Sequence, residues 1–343
     1  EKILSTPLQE GNSHEDVVKL KEDLVALGFG SFTFNSNFGP TTARTVREFQ
    51  AFYGLRENGI ADPQTLSKID ELKKAPMSRG DYRKDAIMLK EKLAQLGFTV
   101  SDSPSPQYGP TTEKMVREFQ DYYRLNNVNG VADQATLDKL DELLSTPLQK
   151  GGKHEDAIQL KEDLETLGFG SFIGNENYGP STASTVSKLQ SYYGLRVNGI
   201  ADERTLAEIE KILSTPLQEG NSHEDVVKLK ENLVALGFGS FIFNQNYGPT
   251  TADTVKEFQA YYGLPESGMA ERVTLSKIEE ILNSPLRRGK SHHSAIQLKE
   301  DLEILGFGSF IGNENYGPST EQAVRDFQRS YRLPVSGIAD EKT

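Results

Sequence analysis

The sequence predicts an all-α protein, a tandem array of five small three-helix modules. Three observations predict it. The dipeptide Gly-Pro recurs at Gly39-Pro40, Gly109-Pro110, Gly179-Pro180, Gly248-Pro249 and Gly317-Pro318, a period of about 70 residues that marks a repeat architecture. Apolar residues on either side of each Gly-Pro follow a helical period rather than strand alternation. Cap and turn residues stand where helices of that length would begin and stop.

An earlier proline marks each start: Pro7, Pro76, Pro147, Pro216 and Pro285. The expected division is the end of a preceding repeat (1–4), then repeats at 5–73, 74–144, 145–213, 214–282 and 283–343, the fifth cut short. Residues 5–32 and 214–241 differ only at Asp23 against Asn232, and residues 157–182 and 295–320 only at Thr166 against Ile304. Identity reaching polar positions points to recent duplication, because a core alone would not demand it. Residues 1–7 reproduce 210–216, and the last residues stop where Thr205 of the third copy continues into Leu206. Both ends lie inside the pattern, so a segment of a longer array is expected. The second copy departs most, with an extra residue around Ser101–Pro104 and another around Asn126-Asn127.

In the first copy, Val17, Leu20, Leu24 and Leu27 share one helical face, predicting helix one at about 14–27. Ser13 with Asp16 forms an acidic variant of a capping box, and Gly28 suits the left-handed C-terminal position. Residues 29–39, rich in Gly, Asn and aromatics, have no helical period and read as a loop anchored by its rings. Helix two is expected at about 41–53, after the proline of its first turn. Thr42, Val46, Phe49 and Tyr53 form its inner face, and Gly54 ends it. Asp62 is a natural N-cap with Pro63 at the first position of helix three, and Leu66 and Ile69 face inward. Short linkers predict a fairly stiff string of modules.

Composition bounds the function. The chain has 343 residues, 36% hydrophobic and 26% charged, with no cysteine and no tryptophan. Each module must therefore close its core by packing, without disulfides. A net charge of −12 excludes nucleic acid, which clustered Lys and Arg would bind, and argues against anionic membrane surfaces. No stretch reaches the roughly 18 apolar residues of a membrane span.

Leu20-Lys21-x-x-Leu24-x-x-Leu27-Gly28-Phe29, Phe38-Gly39-Pro40-x-Thr42, Val46-x-x-Phe49-Gln50, Tyr53-Gly54-Leu55 and Asn58-Gly59-Ile60 together resemble the three-helix peptidoglycan-binding domain of bacterial cell-wall hydrolases. The pattern recurs in all five copies. The resemblance implies a non-catalytic module that holds proteins on cell-wall glycan or stem peptide, outside the cell at the bacterial wall or surface. Two departures concern ligand identity. Asn35-Ser36, Asn175-Glu176, Asn244-Gln245 and Asn313-Glu314 stand where the family often has Asp-Gly. Asn58, Asn129, Asn198, Ser267 and Ser336 replace a second family Asp. These exchanges keep hydrogen bonding and remove charge.

No catalytic centre, metal site or cofactor is predicted. Ser13-His14-Glu15-Asp16 are consecutive at a helix start and cannot align as nucleophile, base and orienter. His14, His154, His223 and His292 occupy equivalent positions in separate modules, so with His293 they read as solvated helix-end residues rather than joint metal ligands. Ligand contacts are expected instead from polar loops. The pairs Asn35/Asn37, Asn175/Asn177, Asn244/Asn246 and Asn313/Asn315 either meet acetamido and hydroxyl groups or simply build a turn. Gln50, Gln120, Gln190, Gln259 and Gln328 either satisfy loop backbone or touch ligand. Phe38, Tyr108, Tyr178, Tyr247 and Tyr316 before each Gly-Pro, with Asn58, Asn129 and Asn198, complete the expected set. Tyr53, Tyr123, Tyr193, Tyr262 and Tyr331, beside Phe52, Tyr122, Tyr192, Tyr261 and Ser330, either pack inward or offer a sugar platform. The predicted function is multivalent wall binding, with neighbouring repeats as partners. A stalk, spacer or fibre of such modules is the alternative.

Overall fold

The computed structural model describes residues 8–99 and 105–343. Fourteen α-helices and no strand occur among them, and sheet-like pairing is limited to isolated antiparallel bridges such as Ser13 with Asn37. The first repeat holds α1 (Asp16–Ala26), α2 (Pro40–Phe52) and α3 (Pro63–Lys74). The second holds α4 (Asp85–Gln95), α5 (Pro110–Tyr122) and α6 (Gln134–Leu144). The third holds α7 (Asp156–Thr166), α8 (Pro180–Tyr193) and α9 (Glu203–Leu213). The fourth holds α10 (Asp225–Ala235), α11 (Pro249–Tyr262) and α12 (Arg272–Leu282). The fifth holds α13 (Ser294–Ile304) and α14 (Pro318–Ser330). Pro7, residues 1–6 and the Ser101–Pro104 insertion lie outside the described residues.

The helical period places the core. Val17, Leu20, Leu24 and Leu27 of the first repeat pack with Phe29, Phe38, Val46, Phe49, Ile69 and Leu72 in one buried cluster. Phe29 meets Phe49 edge to face at 5.2 Å between centroids, the geometry favoured by ring quadrupoles. Asp62 caps α3 by accepting from the Thr65 amide at 2.8 Å, with Pro63 at the first position. Glu271 performs the same service for α12 in the fourth repeat.

The start of helix one departs from expectation. The hydroxyl of Ser13 lies 3.1 Å from that of Ser36, and the amide of Asp16 donates instead to His14 Nδ1 at 3.1 Å. The same Nδ1 lies 3.1 Å from Asp16 Oδ2, so the imidazole, not the hydroxyl, sits beside the first amide of the helix. His154, His223 and His292 repeat the amide contact at 3.3, 3.2 and 3.2 Å. Helix one begins at Asp16 rather than 14, and helix two at Pro40 rather than 41.

By packing, the chain divides into two compact units: one up to Thr146 together with Arg196–Asn198, the other comprising Pro147–Leu195 and Gly199–Thr343. In the first unit, Arg83 occupies the position of these histidines. It is buried, pairs with Asp85 and donates to the carbonyls of Leu72 and Ala75 at the end of α3, at 2.6 and 3.0 Å. In the second unit, Met269 of the fourth repeat belongs to the third repeat's core and Ile338 of the fifth to the fourth's. The Tyr262 hydroxyl there donates to Asp340 Oδ2 at 2.5 Å.

Candidate functional site

The candidate site is the loop joining the first two helices of each repeat. In the first repeat its second half is strapped to the segment before α1 by backbone bonds. Phe38 N–H donates to Asn12 O at 2.8 Å, Gly11 N–H to Phe38 O at 3.0 Å and His14 N–H to Ser36 O at 3.0 Å. Beneath the loop lies Lys21, which belongs to the core face of α1 and is 3% exposed. Its aliphatic stem follows the apolar face while its ammonium reaches the loop. Lys21 Nζ donates to Asn35 O, Asn35 Oδ1 and Asn37 O at 2.9, 2.8 and 2.9 Å.

The same cage recurs in every repeat. Lys161 Nζ bonds Asn175 O, Asn175 Oδ1 and Asn177 O at 2.7, 2.9 and 2.7 Å. Lys230 holds Asn244 and Asn246 in the same way, and Lys299 holds Asn313. In the second repeat Lys90 donates to Ser105 O and Gln107 O at 2.9 and 2.7 Å. These cages are built from neutral oxygens, and burial lowers the pKa of Lys21, Lys161 and Lys230 below that of a free ammonium. Sequence reasoning singled out none of these lysines as part of the candidate site. Their signal was a cation next to a core leucine in all five copies.

The expected site residues separate into two groups. Gln50, Gln120, Gln190, Gln259 and Gln328 are buried, as are Phe38, Tyr108, Tyr178, Tyr247 and Tyr316. They lie within the fold, and the glutamines satisfy loop backbone, one of the two roles expected of them. Gln50 Nε2 donates to Asn58 Oδ1, Ile60 O and Thr65 Oγ1 at 2.9, 2.9 and 3.0 Å, while its Oε1 accepts from Gly59 N–H at 2.9 Å. One carboxamide thus staples the turn after helix two to the start of helix three. Tyr178 donates its hydroxyl to Gly199 O at 2.9 Å, and Tyr108, Tyr247 and Tyr316 bond Gly130, Gly268 and Gly337 equivalently. Burial raises the pKa of each of these four hydroxyls.

Asn58 and Asn129 build the same turn: the Oδ1 of each accepts the amide two residues on, at 2.9 Å. Ser267 and Ser336 do so through Oγ at 3.1 Å, which explains why serine can replace asparagine there. Asn198 donates to Leu96 O at 3.3 Å.

The second group stays at the surface. Asn37, Asn177, Asn246 and Asn315 are exposed on the caged loops. Their partners Asn35, Asn175, Asn244 and Asn313 turn Oδ1 inward, where it accepts the lysine and the amide two residues on. Each of these four loops therefore presents a fixed backbone and an exposed asparagine, a surface suited to amide and hydroxyl partners. Among the described residues no cluster of His, Asp or Glu has metal-binding geometry. No described helix is long and apolar enough to cross a membrane.

A family model described as peptidoglycan binding domain matches residues 13–69, 82–140, 153–209, 222–278 and 291–343. Among curated proteins, the chain is 27% identical over 251 residues to the N-acetylmuramoyl-L-alanine amidase CwlL of Bacillus licheniformis, covering 58% of this chain and 69% of that enzyme. It is 34% identical over 84 residues to a spore cortex-lytic enzyme of Bacillus cereus, covering 24% of this chain and 32% of the relative. It is 40% identical over 70 residues to the zinc D-Ala-D-Ala carboxypeptidase of Streptomyces albus G, 20% of this chain and 28% of that enzyme. The chain thus spans about a third or less of the latter two relatives.

Proposed function

Because this chain belongs to the peptidoglycan-binding domain family, we propose that it is a multivalent, non-catalytic array that holds an attached protein on the bacterial cell wall, outside the cell. The observation that carries this reading is the recurrence, in one chain, of five family matches, each with a lysine-caged loop. Peptidoglycan repeats its chemistry along each strand, so several weak sites on one chain engage it together. Linked sites raise avidity by about 10²–10⁴ over one site when the geometry allows simultaneous contact. Each loop offers hydrogen-bonding groups without a nucleophile–base pair, which supports holding over cleavage.

Sedimentation of the full chain with insoluble peptidoglycan tests this. The chain is expected to pellet, to release no soluble glycan or peptide, and to be displaced only poorly by soluble fragments, each of which occupies one site at a time. A chain that stays in the supernatant contradicts the reading.

A second reading has its own support. In the Pro147–Leu195 and Gly199–Thr343 unit, Met269 and Ile338 fill the cores of preceding repeats, so neighbouring repeats act as partners of one another. Packing of this kind suits a stalk or spacer, which would show the same interlocking without binding wall.

A further inference from the structure

We propose that Ile173, Ile242 and Ile311 are ligand-contact residues of the third, fourth and fifth repeats, each placing an apolar face against a methyl group that neighbours an amide in peptidoglycan. The inference rests on the wall-binding reading and adds an apolar subsite to its polar loop.

Ile173, Ile242 and Ile311 are 80%, 82% and 80% exposed. They follow Phe172, Phe241 and Phe310, which pack against their own repeats' cores and anchor the loop. Two residues further on come Asn175, Asn244 and Asn313, gripped by the buried lysines. The isoleucine thus lies between two anchors and stays outside the core, although burial would be favourable for so large an apolar side chain. An outward Asn follows four residues later in each loop, at Asn177, Asn246 and Asn315. Each tip therefore combines an apolar contact with an amide partner at fixed spacing.

Peptidoglycan supplies that combination twice, in the N-acetyl groups of its sugars and in the alanyl residues of its peptides. Both carry a methyl beside an amide. The net charge of −12 opposes close approach of a second copy, which leaves a ligand of this kind as the occupant that fits.

The test is the full chain carrying I173S, I242S and I311S together, compared with the unaltered chain in sedimentation with insoluble peptidoglycan. Exposed side chains contribute little to folding, so the circular dichroism and melting of the variant should match. Its affinity is expected to fall on the order of tenfold or more, because three linked contacts are lost together. If the unaltered chain pellets and the variant pellets equally well, the subsite is refuted and the wall-binding reading stands. If the unaltered chain fails to pellet, both fall. Competition with glycan strands stripped of peptide and with free stem peptides, each at a concentration high enough to fill every site despite the linked binding, then identifies the source of the methyl. Displacement of the unaltered chain by either one, but not of the residual binding by the variant, supports the subsite. Equal displacement of both proteins overturns it.

Discussion

Gln259 shows how a polar side chain in the core can specify a turn. Its Nε2 donates to Ser267 Oγ, Met269 O and Thr274 Oγ1 at 3.2, 2.9 and 3.0 Å, and its Oε1 accepts from Gly268 N–H at 2.8 Å. Replacing it with leucine keeps the volume and strands a buried amide and carbonyl. Each group left unpaired costs about 1–3 kcal/mol, so Gln259→Leu should lower the denaturant midpoint of the fourth repeat. An unchanged midpoint would show that water replaces the staple. Its helical position and fivefold recurrence were legible in the sequence, but its burial was not. An amphipathic pattern assigns glutamine to the solvent side, and only the turn that wraps back over α11 encloses it. The buried lysines were hidden for the same reason. A residue such as Lys161 reads as surface until the loop that surrounds its ammonium is seen.

Helices were the most legible elements. Val17, Leu20, Leu24 and Leu27 sit where their period put them, and Asp62 caps α3 as its chemistry implied. The start of α1 was misjudged because Ser13 is the better intrinsic cap, yet the bridge between Ser13 and Asn37 commits that residue to the loop and leaves His14 beside the free amide. That neighbouring repeats would meet was expected, but the residues that make those contacts were not legible. Gly237, after α10, has φ +86° and a methyl group there would lie 2.5 Å from Val335 N; Gly306, after α13, has φ +82° with open space around it. Alanine at either site bears the left-handed backbone penalty of about 1–2 kcal/mol. Only Gly237→Ala should also push away residues 334–338, read as faster amide exchange at Gly337 and Ile338. Equal exchange in the two variants would mean that the fourth and fifth repeats do not press together there in solution.

At the level of the whole chain, acidity, absence of cysteine and fivefold repetition were all readable; acidity argued against nucleic acid as a partner, and repetition pointed to an array of like modules. The loop proposed to do the holding was only half readable in its arrangement. The asparagine pairs were singled out, but the inward turn of the first member's Oδ1 depends on the lysine cage. Those loops recur once per repeat, so a long polymer can engage several of them at once, and this multiplicity is the basis of the proposed anchoring. Amide hydrogen exchange of the full chain with and without peptidoglycan fragments examines that directly. Protection should appear in the loops at 33–38, 173–178, 242–247 and 311–316, with the exposed faces of the helices unchanged. Protection confined to the helix faces, or absent throughout, would contradict it.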